Sequence, residues 1–218
     1  MANIDQKPEN VGQEANEQAE VFKGQKALTW ALLAIAAIAV IVVVYIYAFR
    51  NPGVQSANEA IAQADITLAQ GNDSLALVQY QQVADNEGYD AANRAALQAA
   101  ILLYDKKDYN GALEYLNKFS ANESLVGAAA KSLEGDCYVN LQQYDNAVSC
   151  FDKAVSISDD NALYTPLFLM KKATVLRELK NYAEEAATYE RIKNDYPEYT
   201  AAYRIDINKY IERAKAQE

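Results

Sequence analysis

The residue types that carry out chemistry are few in this chain, and their spacing argues for recognition rather than catalysis. Among 218 residues there is no histidine, which removes the usual general base of serine and cysteine hydrolases and the commonest metal ligand. The two cysteines, Cys137 and Cys150, are too few for a four-ligand zinc site or a disulfide framework. On facing helices they give either one bridge, where the Cα atoms approach within about 7 Å, or two buried free thiols. Adjacent carboxylates at Asp159-Asp160 and Glu184-Glu185 read as solvated helix ends. The sequence holds no glycine-rich phosphate loop and no Gly-x-Ser-x-Gly elbow. A formal net charge of −10 is the wrong sign for gripping a nucleic-acid backbone. The expectation is a non-enzymatic protein with no cofactor, no metal and no nucleic-acid partner.

One element must place the rest of the chain at a membrane. From Ala27 to Phe49 the sequence runs 23 residues without a charge, which as a helix is roughly 34 Å long and spans a hydrocarbon core of about 30 Å. The run is longer than the apolar region of a secretory signal peptide. Trp30 near one end and Tyr45, Tyr47 and Phe49 at the other suit the two interfaces. Lys23 and Lys26 precede the span and Arg50 follows it, a bias that favours a cytoplasmic N-terminus. Residues 1–26, rich in Gln, Asn and Glu without hydrophobic periodicity, are expected to be a disordered cytoplasmic tail. Residues 50–55 read as a linker.

Beyond Pro52 every segment is helical in type, with apolar positions three and four apart and no alternating runs. The pattern also repeats. Gly135 precedes Tyr138 by three residues and Tyr144 by nine, and Ala147, Phe151 and Ala154 follow Tyr144 at three, seven and ten. A second copy has Ala100, Leu103, Tyr109, Ala112, Leu116 and Phe119. A third has Ala173, Leu176, Tyr182, Tyr189, Ile192 and Pro197, with Glu185 where a small residue is expected. A weaker copy has Ala64, Ala76, Tyr80 and Val83, with Asp73 in place of the aromatic. The aligned positions Asp73, Tyr109, Tyr144 and Tyr182 lie 36, 35 and 38 residues apart. Turn residues separate paired helices at Gln70–Asp73, Lys106–Tyr109, Gln142–Tyr144 and Lys180–Tyr182. The small residues Gly135 and Ala147 are expected to face each other where their helices cross.

These spacings resemble the tetratricopeptide repeat (TPR) signature over 56–199. The resemblance implies an all-α fold: a single N-terminal transmembrane helix, then a TPR-like solenoid of about four helical hairpins. Segment 200–218, with Tyr203, Ile205, Ile207, Tyr210 and Ile211 on one side and Arg204, Lys209, Arg213 and Lys215 on the other, is expected to be a capping helix with a polar outer face. In such a fold the inner face is lined by the first helix of each pair. Helical phase then places Arg94, Leu97, Ile101, Tyr104, Asp136, Val139, Asn140, Leu167, Met170, Thr174 and Arg177 in the groove. Their mixed character suits an extended peptide or a partner's helix.

A short tail, one span and an acidic TPR domain together are similar to the YfgM-like family of ancillary Sec-translocon subunits of bacterial inner membranes. That similarity implies a periplasmic adaptor, held beside Sec translocon subunits and a membrane-anchored peptidyl-prolyl isomerase-like chaperone. The Asp195-Tyr196-Pro197 ending of the last repeat is similar to TolA-binding coordinator proteins, which implies instead a scaffold for a cell-envelope or secretion machine.

Overall fold

The computed structural model describes residues 10–86, 88–121 and 124–217, and among these residues all regular structure is helical. The chain divides into two compact units, Met1–Gln55 and Ser56–Glu218.

In the first unit, helix α1 runs Asn10–Tyr45 and passes into a π-helical turn, Ile46–Arg50. From Leu28 onward this helix is long and apolar enough to cross a membrane. The expected disordered tail is helical from Asn10. Its Gln, Glu and Ala residues are good helix formers and no proline falls between Asn10 and Lys26, so the helix of the span extends backward through them. Residues 1–9 of that tail lie outside the described residues. The expected linker 50–55 is helical too, because α2 (Asn51–Ala69) starts directly after the π turn. Pro52 has no N–H to donate, and its ring crowds the carbonyl four residues earlier. The wider turn, in which the Asn51 N–H donates to the Ile46 carbonyl, comes immediately before it.

The second unit is a run of helical hairpins: α2 with α3 (Asp73–Asn86), α4 (Tyr89–Asp105) with α5 (Tyr109–Lys118), α6 (Ser124–Asn140) with α7 (Tyr144–Ile157), and α8 (Tyr164–Glu178) with α9 (Tyr182–Asp195). Each element from α3 to α9 packs on the next in sequence. The four hairpin turns are built alike. Gly71, Lys107, Gln142 and Lys180 each take the left-handed conformation, with φ of 78°, 64°, 59° and 58°. In each turn the next residue's N–H reaches back five residues, Asn72 to Thr67, Asp108 to Leu103, Gln143 to Tyr138 and Asn181 to Leu176, closing the first helix. Asn72, Asp108 and Asn181 then use their side chains to cap the second helix, accepting from Leu75, Gly111 and Glu184 N–H.

Small residues set the helix spacing. Ala64, Ala76, Ala100, Ala112, Ala147 and Ala173 are all fully buried. Gly135 is used differently from the expected pairing with Ala147. A Cβ at Gly135 would lie 2.7 Å from Phe151 Cε1, so it is the Phe151 ring that fills the vacancy. Cys137 and Cys150 are buried free thiols, and burial pushes both up to about 12, with Asp136 and Glu134 adding to it at Cys137 and Glu134 at Cys150.

The C-terminal segment is two helices, α10 (Pro197–Ala202) and α11 (Ile207–Lys215), instead of one. Arg204 takes a left-handed conformation (φ 53°) that ends α10, and Asp206 caps α11. Tyr203 is consequently exposed while Ile207, Ile211 and Ala214 bury. One expectation about charge is corrected here. Glu185 is not at a solvated helix end: it is fully buried in α9, and Arg213 of α11 is turned inward to it, Nη2 to Oε1 2.9 Å. The side chain that broke the small-residue pattern is the one the cap neutralises. Asp159 and Asp160 do remain exposed, and Asp160 accepts from the Tyr196 hydroxyl at 2.9 Å.

Two outcomes follow from this geometry. Lys107→Gly or Lys180→Gly relieves the left-handed cost at a non-glycine residue and should raise unfolding stability by about 0.5–1 kcal/mol each, read by thermal melting in detergent. Arg213→Ala leaves Glu185 buried and unpaired and should cost about 3 kcal/mol, the low end for a buried pair because the guanidinium is 40% exposed. Adding Glu185→Ala should restore most of that loss. A single variant no less stable than the double would show that the pair does not hold the cap.

Candidate partner-binding groove

The expected groove residues lie on α4, α6 and α8, the first helices of three consecutive hairpins. What links those helices is a set of polar contacts, one per step. From α2 to α4, Arg94 Nη2 lies 3.6 Å from Asp65 Oδ2. Both side chains are largely exposed, which makes the pair worth under about 1 kcal/mol. Asp65 is held on its other oxygen by the Tyr80 hydroxyl of α3 at 2.6 Å, and burial together with that bond drives the phenol well above its ordinary value. From α4 to α6, Asn140 Nδ2 approaches the Tyr104 hydroxyl at 3.5 Å while donating to the Asp136 carbonyl at 2.8 Å. Tyr104 is partly buried and meets Tyr109 edge-on, centroids 5.5 Å apart. Burial, reinforced by Asp136, raises its phenol. From α6 to α8, Lys171 donates to both Asp136 Oδ2 and Ser132 Oγ.

Sequence reasoning missed Lys171, Asp65 and Ser132. The signal was available: Lys171 is adjacent to Met170 on α8 and Asp65 is one residue after the buried Ala64, so both fall on inward-facing stripes once the phase is known. Lys171 matters because burial pushes the Asp136 carboxyl above the usual carboxylate range despite the ammonium beside it.

The other expected residues divide by exposure. Ile101 and Leu167 are exposed apolar side chains. Leu97 and Met170 are half-buried and rest on the core, and Val139 packs toward Ala147 and Phe151. Thr174 bonds its own helix at the Met170 carbonyl, and Arg177 lies 3.8 Å from Glu178. The surface these residues offer is therefore a row of aliphatic and tyrosyl groups between paired charges.

TPR profiles match residues 128–161 and 168–199, the third and fourth hairpins. Two crystal structures of MamA superpose on the chain. One is 19% identical with a TM-score of 0.57, covering 75% of this chain and 92% of that one. The other is also 19% identical with a TM-score of 0.53, covering 71% and 93%. At this identity the likeness is one of fold. No curated protein matches the chain. The Ser56–Glu218 unit is thus a TPR-like solenoid, a class whose concave surface serves protein binding.

Removing the Lys171 ammonium has an outcome of definite sign. In Lys171→Ala the Asp136 carboxyl loses the group that opposes burial, so its folded pKa moves further above the unfolded value. Stability linked to that group is complete below about pH 4 and is lost as pH rises through the folded pKa. The variant should match wild type near pH 4 and fall behind it by about 1–2 kcal/mol at neutral pH, measured by urea unfolding across that range.

Proposed function

We propose that this chain is a membrane-anchored, non-enzymatic adaptor. Span Ala27–Phe49 holds it in a bacterial inner membrane with its N-terminus in the cytoplasm, and the solenoid presents the α4–α6–α8 face to a protein partner on the periplasmic side. The observation that carries this reading is the row of exposed or half-buried Ile101, Tyr104, Leu167 and Met170, set on helices cross-tied by Asp65–Arg94 and Asp136–Lys171. Charges satisfied within the face leave apolar and aromatic area free for a bound segment, and helices tied together lose little entropy on binding. The uncharged helix from Leu28 supports the anchor, and resemblance to ancillary Sec-translocon subunits supplies the partners: translocon subunits and a membrane-anchored peptidyl-prolyl isomerase-like chaperone.

Tyr104 and Arg177 are the residues whose types most often dominate interface energies. Purification of the full chain in mild detergent should enrich translocon subunits and the chaperone. Tyr104→Ala with Arg177→Ala, checked by melting for intact folding, should lose that capture, whereas an unrelated span in place of 27–49 should keep it. Capture lost with the span and kept with the double variant would move the binding site into the membrane. Enrichment of cell-wall or outer-membrane machinery in place of the translocon would favour the envelope-scaffold reading.

A further inference from the structure

Neighbouring hairpins are joined by polar contacts, and the joints are not alike. Between the first and second hairpins, Arg94 lies 3.6 Å from Asp65 and Lys106 donates to Ser74 at 3.0 Å. Asp85 accepts there from both the Tyr115 hydroxyl and Lys118, each at 2.9 Å. Between the third and fourth hairpins, Lys171 donates to Asp136 and Ser132, and Lys172 lies 2.8 Å from Asp152. Asp160 accepts from the Tyr196 hydroxyl at 2.9 Å, with Arg191 at 3.5 Å. Between the second and third hairpins the described residues make a single polar contact, Asn140 Nδ2 to the Tyr104 hydroxyl at 3.5 Å. That is longer than the usual range of about 2.7–3.2 Å for such a bond. The same nitrogen already donates to the Asp136 carbonyl at 2.8 Å.

Apolar packing does not make up the difference. Helix α6 packs less extensively on α5 than α4 does on α3 or α8 does on α7. Equivalent positions on α4, α6 and α8 carry Leu102, Cys137 and Val175, all buried, and the smallest of the three stands at the middle joint. The buried side chains that α6 contributes to the apolar cluster of the first two hairpins are Ala130 and Cys137. At the last joint α8 contributes the larger Phe168 and Leu169, against Ala154 and Val155 of α7. Apolar contact is non-directional, so small side chains held by area alone slide with little loss of buried surface. A hydrogen bond weakens steeply once its geometry is lost. Helices that slide on one another in this way are the elements of shear motion.

We infer that the joint between the second and third hairpins is the hinge of the solenoid. There α6 shears against α4 and α5, while the first two hairpins move as one stiff body and the last two, with the cap, as another. The hinge crosses the candidate groove, since Tyr104 and Asn140 stand on its two sides. Its angle sets the separation between Ile101 of α4 and Leu167 of α8, so the groove closes on an extended chain and opens for a helix. That consequence rests on the groove as the partner's site, whereas the hinge itself does not.

The test needs no partner. Pairs of spin labels on the full chain in mild detergent are read as distance distributions, with 82–117 across the first joint, 117–149 across the middle one and 149–187 across the last. Gln82, Asn117, Ser149 and Ala187 are exposed, and the native thiols are buried. The 117–149 distribution should be at least about twofold broader than the other two, because sliding there breaks no well-formed polar bond. Asn140→Asp sets a carboxylate before the Tyr104 hydroxyl, as Asp65, Asp85 and Asp160 are set before Tyr80, Tyr115 and Tyr196. It should narrow the 117–149 distribution toward the others. Asp85→Ala takes the shared partner from Tyr115 and Lys118 and should broaden the 82–117 distribution alone. Circular dichroism checks that each variant keeps its full helix content. Equal widths at the three joints would overturn the hinge. So would a 117–149 distribution that Asn140→Asp leaves broad together with an 82–117 distribution that Asp85→Ala leaves narrow.

Discussion

The solenoid depends on one steric constraint: the two helices of each hairpin must come close at a level where neither carries a large side chain. Ala64 with Ala76 and Ala100 with Ala112 occupy these equivalent positions and are fully buried, while in the third hairpin Ala147 is buried and Gly135 makes room for the Phe151 ring. Larger residues such as Tyr80, Phe151 and Tyr189 then fill the space around the crossing, each about 1% exposed. In the last hairpin Ala173 is matched by Glu185, and the constraint is met by other means. The carboxylate takes the buried site, and α11 brings Arg213 to it. That exchange ties the fourth hairpin to the cap by an ion pair with a fully buried carboxylate, where the inner hairpins are joined by packing and by partly exposed polar contacts such as Asp136–Lys171. A buried ion pair of this kind is weak evidence for net stability but good evidence for register.

Much of this was legible in the sequence, for reasons that are local. A hairpin of two short helices has a fixed period, and the residues at its crossing must be small wherever they fall, so Ala112 and Ala147 announce the phase without any long-range information. The turns are equally local, with polar residues after a left-handed position in each. What was not legible depended on neighbours far along the chain. Glu185 and Arg213 are 28 residues apart, and each looks like an ordinary surface charge in its own helix. Asp136 and Lys171 are 35 apart and look the same. The break of the C-terminal segment into α10 and α11 was hidden because Arg204, a residue with no special turn propensity, takes the left-handed conformation there. The helical start at Asn10 was missed because polar composition was read as disorder where residues of good helix propensity extend an apolar helix. The groove residues were found as a row of positions, but which of them are free and which are tied required the side chains across the gap.

The charge distribution decides where this domain can touch anything. Between Ser56 and Glu218 there are 25 acidic and 16 basic residues, so most of the surface repels an acidic partner and holds counterions against an apolar one. Contact is cheapest where the field is locally cancelled. The groove cancels it by pairing, through Asp65 with Arg94 and Asp136 with Lys171.

Neutrality made by pairing responds to conditions. Pairing is conditional: an exposed pair such as Asp65–Arg94 is screened within a Debye length of about 8 Å at physiological salt, and Asp136 keeps its charge only against a cost of burial that Lys171 offsets. A contact made at the groove is thereby coupled to pH and ionic strength. The inner face of an acidic solenoid is in this way adjustable, because its neutrality is made by pairs and not by the absence of charge.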